Sequence, residues 1–141
     1  MLEEIYTELL AEHSQSAENR RALANPTLKE HGHNPTCGDD ITLELEISGG
    51  VIKDAAFTGG GCAISQASTD MMIELMRGKS VDEAKKLAEL FIAMIKGEVT
   101  DDAELEQLDE AIALKNISNM PARVKCATLA WHTLDTALSK T

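Results

Sequence analysis

Three cysteines and one aspartate hold most of the chemistry open to this chain. Cys37 and Asp39 stand two residues apart in Pro35-Thr36-Cys37-Gly38-Asp39. Cys62 follows Gly59-Gly60-Gly61, and Cys126 lies near the start of the last apolar pattern. Thiolates are nucleophiles and soft metal ligands, and a carboxylate supplies a harder fourth donor. Three thiolates with one carboxylate suffice to close a tetrahedral zinc site, and the same sulfur donors suit an iron–sulfur unit. With all four ionised, a divalent ion leaves a net charge of about −2, which Arg123 and Lys125 beside Cys126 are placed to offset in part. Cysteine is also a frequent core residue, and the chain has no Cys-x-x-Cys pair. The residues taken alone therefore leave packing, reactive thiol and metal ligand all open.

The histidines add little to that set. His31 and His33 lie near Cys37 in sequence but read as edge-strand or loop residues in solvent. His132 falls six positions after Cys126, on a different helical face, and reads as structural or exposed. His13 ends the first helix, where a cation suits the dipole. Met71, Met72 and Met76 read as core filler, and no Ser-His-Asp arrangement, phosphate loop or dinucleotide fingerprint is present.

The elements that must position these residues are legible from periodicity. Leu2, Ile5, Tyr6, Leu9 and Leu10 give an amphipathic helix over 2–13. Ser14 to His33 reads as a polar connection with one short edge strand. Over Asp40 to Ile47, Ile41, Leu43, Leu45 and Ile47 alternate with polar residues, the mark of a strand with one wet face. Gly49-Gly50 turns the chain, and Val51 to Thr58 returns as the hairpin partner, its pattern blurred by Lys53 and Asp54. In such a hairpin the entry of the first strand and the exit of the second share one end of the sheet. Cys37 and Cys62 are thereby brought together although 25 positions separate them.

Helical patterns follow from Cys62, with Ile64, Ala67, Ser68, Met71 and Leu75 on one side. Another opens at a Ser80–Glu83 capping box and stops at Gly97. Thr100 to Leu114 reads as an acidic helix with Leu105, Leu108 and Ile112. The final helix starts at Pro121 and carries Val124, Ala127, Trp131, Leu134 and Leu138. A small antiparallel sheet followed by helices is an α+β pattern, with about three strands against five or so helices, and 1–141 reads as one domain.

Bulk composition narrows the function. The 141 residues are 43% hydrophobic, enough for a core, but only 3% aromatic. The formal charge of −11, with no Lys/Arg cluster, lacks the footprint of nucleic-acid binding and suits a basic protein partner or plain solubility. No apolar run is long enough for a membrane span, and MLEEIYTELL lacks the features of a signal peptide, so a cytoplasmic location is expected. An odd number of cysteines in a reducing compartment argues against a disulfide framework.

Three motifs then stand out in order: Asn-Pro-Thr-Cys-Gly-Asp at 34–39, Gly-Gly-Gly-Cys-Ala-Ile-Ser-Gln-Ala-Ser at 59–68, and Met-Pro-Ala-Arg-Val-Lys-Cys-Ala-Thr-Leu-Ala-Trp-His at 120–132. With the N-terminal helix and the hairpin, they make nearly the whole chain resemble the SufU/IscU family (NifU N-terminal-like) of iron–sulfur cluster assembly proteins. It is most similar to the SufU branch. Lys125 stands where IscU-like scaffolds carry a histidine, and the stretch between Cys62 and Cys126 is longer, with 98–116 as the insertion.

The resemblance implies zinc held by Cys37, Asp39, Cys62 and Cys126, with Cys37 accepting persulfide sulfur from a SufS-type cysteine desulfurase. Downstream cluster-assembly proteins would be further partners. The alternative is a scaffold assembling a [2Fe–2S] cluster on the same ligands, and a third reading is a zinc-stabilised interaction module without sulfur chemistry. One departure is visible: relatives usually show an Asp-His-Tyr-x-x-Pro-Arg-Asn-like stretch where this chain has Glu12-His13-Ser14-Gln15-Ser16-Ala17-Glu18-Asn19. The acidic 98–110 stretch reads as a solvated helix, with a docking surface as the other option.

Overall fold

The structure is a computed structural model that describes residues 2–36 and 38–141, with the backbone alone for 2–7. Helix α1 (Leu2–Gln15) leads through a connection to strands β1 (Leu28–Asn34), β2 (Asp39–Ser48) and β3 (Val51–Gly60). Helices α2 (Ala63–Met76), α3 (Val81–Ile95), α4 (Asp102–Leu105) and α5 (Pro121–Leu138) follow, with a 3-10 segment over Glu106–Asn119 between the last two. The sheet is antiparallel throughout, in the order β1-β2-β3. The α+β expectation holds, and the strand anticipated in the polar connection is a full seven-residue β1.

Ile41, Leu43 and Leu45 of β2 point into the core with Phe57 of β3, as the alternation predicts. The other face of β2 is drier than expected. Glu44 is buried, because β2 is the central strand and Lys29 and Ala56 flank Glu44 in register. One of the two residues that blurred the β3 pattern has a separate task. Asp54 accepts hydrogen bonds from Arg21 (Nη2, 3.0 Å) and Arg77 (Nε, 3.0 Å), tying the strand to the connection after α1 and to the end of α2. Phe57 N–H also bonds to Asn19 O at 2.9 Å, so that connection covers part of the outer edge of β3.

Helix α2 is buried from Ala67 to Ile73 because it lies between the sheet, α1, α5 and the 3-10 segment. Trp131 on α5 stacks on Phe91 of α3 with centroids 3.9 Å apart, and its Nε1 donates to Ser68 Oγ of α2 at 2.8 Å. Ser68 in turn donates to Ala127 O at 2.6 Å. One aromatic side chain thus joins three helices and satisfies its own buried N–H. Ser80 caps α3 by accepting from Glu83 N (3.1 Å), and Pro121 opens α5, as expected. Leu9 and Leu10 of α1 pack on the core, whereas the side chains of Leu2, Ile5 and Tyr6 lie outside the described residues.

The expected acidic helix over 100–114 is corrected. Only Asp102–Leu105 is α-helical, and the 3-10 backbone that follows is broken at Asp109 (φ 53, ψ −129). The buried residues explain the change: Leu105, Leu108, Ala111, Leu114 and Ile117 recur every third position, the period of a 3-10 helix. Ile112, assigned to the apolar face by a 3.6-residue reading, is only partly buried.

Where β1 meets α5 the approach is close. A Cβ on Gly32 would lie 2.2 Å from Thr133 Oγ1. Gly32→Ala is expected to lower unfolding free energy by about 1–3 kcal/mol through overpacking. In denaturant titrations the Gly32→Ala/Thr133→Ala double variant should recover part of that loss.

A candidate metal and thiol centre

The β2–β3 register sets the site. Asp40 pairs with Gly60 at the open end of the hairpin, so Asp39 and the Gly61-Cys62 corner sit side by side where β3 leads into α2. Asp39 is fully buried, and its Oδ1 accepts a hydrogen bond from Cys62 N at 2.9 Å. The fit depends on glycine at 61, since a Cβ there would stand 2.2 Å from the same oxygen. Cys62 is also the N-cap of α2: its sulfur accepts from Ser65 N at 3.4 Å. Cys62 is half-buried and Cys126, in the second turn of α5, is buried.

One ligand atom each from Asp39, Cys62 and Cys126 lies within 4.8 Å of the others. Three of the four anticipated residues are therefore together. Cys37 lies outside the described residues; its neighbours Thr36 and Gly38 sit in the turn between Asn34 and Asp39.

The donor set can be tested for a metal on Asp39 itself. Its Oδ2 is buried with no hydrogen-bond partner among the described residues. A buried carboxylate oxygen without a donor is costly, and the cost is lifted if a cation takes that lone pair. Two sulfurs and this oxygen converge at a spacing that a borderline-soft ion can span. Zinc fits this set by donor type, and so does an iron–sulfur unit.

The histidines stay out of this group. His31 is exposed and pairs with Asp40 at 2.7 Å, and His33 is exposed on the same strand, as anticipated. His132 is exposed on α5; desolvation of its ring and, after it, the Lys96 ammonium hold its pKa below the usual histidine range. With His33, Pro35, Lys125 and Leu129 it borders a cavity of about 410 Å³ beside the turn that precedes Asp39.

Sequence reasoning missed a second polar centre. His13 is buried, and its Nδ1 and Nε2 lie 2.6 Å from Asp70 and 2.5 Å from Glu110. The available signal was Asp70 itself, an acid inside the apolar stretch of α2 that needs partners wherever it is buried. Asn19, the last residue of the departed 12–19 stretch, donates to the other Asp70 oxygen at 2.7 Å.

Comparison with known proteins adds to this geometry. The model of the NifU-like N terminal domain matches residues 5–127. Over 136 residues the chain is 43% identical to the iron-sulfur cluster assembly scaffold protein IscU of Thermotoga maritima, covering 96% of this chain and 94% of the relative. It is 36% identical over 139 residues to the zinc-dependent sulfurtransferase SufU of Bacillus subtilis, covering 99% and 92%. A crystal structure described as a scaffold protein for the SUF system, from Fervidobacterium islandicum AW-1, superposes with a TM-score of 0.89 at 38% identity, covering 96% of this chain and 97% of that one. Among the described residues no helix is long and apolar enough to cross a membrane.

The half-satisfied Asp39 gives a test that separates metal binding from packing. Asp39→Asn should weaken zinc binding by at least about 10–100-fold, measured by competition with a chelating dye. After chelation the same variant should melt at or above the parent, because an uncompensated buried charge has been removed.

Proposed function

We propose, since the chain belongs to the NifU-like N-terminal domain family, that Cys37, Asp39, Cys62 and Cys126 hold one zinc ion and that Cys37 receives sulfur from a partner's persulfide. The protein is an iron–sulfur cluster assembly protein of the SufU/IscU kind. Its proposed partner is a cysteine desulfurase of the SufS type, with later cluster-assembly proteins downstream. The proposed setting is the cytoplasm, where reducing conditions keep thiols available. The net charge of −11 would favour a partner with a basic docking face.

Zinc bound to this set would supply the positive charge that keeps the thiolates ionised at neutral pH. The chain's own residues do the rest. Asp39 is fixed by the Cys62 N–H, which holds one carboxylate oxygen and leaves the other for the centre. The transfer is an exchange at sulfur. The Cys37 thiolate attacks the outer sulfur of the partner's persulfide, a new S–S bond forms at Cys37, and the partner's S–S bond breaks as its cysteine leaves as a thiolate. No electrons are gained or lost overall, so no oxidant is required.

The observation that carries the sulfur-relay reading is Lys125. It directly precedes Cys126 on α5 and is exposed, and an ammonium has no lone pair to offer a metal at neutral pH. This supports a ligand set of three sulfurs and Asp39, with no further donor from position 125. A second reading, a scaffold that builds a [2Fe–2S] cluster on the same residues, is favoured by the 43% identity to a relative named as a scaffold.

Metal analysis with an absorption spectrum of the isolated protein distinguishes them. One zinc per chain without visible colour is expected; a brown chromophore selects the scaffold. With labelled persulfide on a desulfurase, Cys37→Ser is expected to reduce transfer to background. A Cys37→Ser chain that still takes up sulfur while Cys126→Ser does not would overturn the role given to Cys37.

A further inference from the structure

His13 stands where three elements meet: it belongs to α1, Asp70 to α2 and Glu110 to the 3-10 segment. Both ring nitrogens lie at hydrogen-bond distance from carboxylates, at 2.6 Å and 2.5 Å. A carboxylate only accepts, so each contact needs a proton, and a neutral imidazole carries one. The arrangement is that of an imidazolium between two anions.

Its surroundings are acidic on every side. Glu12 of α1, Glu18 of the following connection, Asp70 and Glu74 of α2 and Glu110 of the 3-10 segment border the same cavity of about 310 Å³. No Lys or Arg is among the residues lining it. His13 is the cation that lets these acids share one space.

The two contacts are not equivalent. Asp70 is buried and its second oxygen is held by Asn19. Glu110 is half-exposed, with side-chain exposure of 51%, and follows directly on Asp109, whose φ of 53° breaks the 3-10 backbone. A non-glycine residue in that region is strained and is kept there by surrounding contacts. When the ring gives up one proton, the Nε2 proton facing the hydratable Glu110 is the one to leave, because an unpaired Asp70 would be left buried. The bare Nε2 lone pair then faces the Glu110 carboxylate and repels it.

We propose that His13 is a protonation-dependent clasp: the charged ring holds Glu110 and with it one side of the 3-10 segment against α2, and loss of the Nε2 proton frees Glu110 and loosens that segment, which Leu108, Ala111 and Leu114 still anchor in the core, while α1 stays fastened to Asp70. The loosened stretch lies between Cys62 and Cys126 in sequence, so the clasp sets how firmly it is docked, independently of the metal ligands.

The direction with pH follows. Burial of the ring opposes its charge, but the hydrogen bonds to Asp70 and Glu110 and the charges of both outweigh burial and raise His13 above its ordinary 6.5. Glu74 is raised too, first by burial and then by the Asp70 charge, in keeping with a site crowded with acids. The clasp stabilises fully below about pH 6.5 and is lost as pH rises through the raised His13 value.

A nitrogen-15 NMR titration of His13 in the full-length protein, paired with hydrogen exchange from pH 6 to 9, tests the clasp. The ring should be doubly protonated at pH 6.5 and titrate above that value. Once intrinsic exchange rates are divided out, protection of 106–119 should fall up to about tenfold per pH unit above the titration, while α1 and the sheet hold theirs. Glu110→Gln, a change at a half-exposed position, should lower the His13 titration and flatten this pH dependence. A His13 that titrates at or below 6.5, protection of 106–119 that ignores pH, or an unchanged pH dependence in Glu110→Gln would each overturn the proposal.

Discussion

A buried carboxylate with one oxygen unpartnered among the described residues governs the end of the molecule where Cys62 and Cys126 meet. Asp39 has one oxygen on the Cys62 N–H and another with no partner among the described residues. Everything around it serves to keep it there. The β2–β3 register delivers the Gly61-Cys62 corner beside it, and glycine at 61 leaves it room. Cys62 then starts α2 as its N-cap, so the residue that steadies the acid also sets the first turn of the most buried helix. Moving Asp39 would disturb a strand end, a turn and a helix start together.

The contrast with Asp70 is instructive. That acid is equally buried, yet both of its oxygens are engaged, one by His13 and one by Asn19. From Asn19 the chain of polar contacts runs on through Arg77 to Asp54 and Arg21. A fully satisfied network of this kind fixes how α1, the connection and β3 sit around α2. The two buried acids differ in that one completes a structural joint and the other has an oxygen with no hydrogen-bond partner among the described residues.

Much of this was readable in the residues. The alternation of Ile41, Leu43 and Leu45 placed β2 with its inner face correct; the hairpin was read as bringing Cys37 and Cys62 to one sheet end, and there the structure sets Asp39 beside Cys62, while Cys37 lies outside the described residues. Ser80 and Pro121 gave the starts of α3 and α5. The length of β1 was hidden because Lys29, Glu30, His31 and His33 hide the apolar signal of an edge strand whose inward positions include Gly32 and Asn34. The 106–119 segment was misread because a three-residue repeat resembles a helical stripe over one or two turns and departs from it only over four. The partners of Asp70 come from residues 51 and 57 positions earlier in the chain, and no local pattern announces contacts at that range.

The three-residue repeat of Leu105, Leu108, Ala111, Leu114 and Ile117 also constrains how this stretch can vary in length. Along the unbroken 3-10 backbone after Asp109, which carries Ala111, Leu114 and Ile117, each added triplet lengthens the segment by one turn and returns the next apolar side chain to the same face. Adding one or two residues would instead rotate every later side chain off that face and turn charged groups such as Lys115 toward the core. The segment is therefore metrical: it can grow or shrink by whole feet of three, and any other change breaks the line.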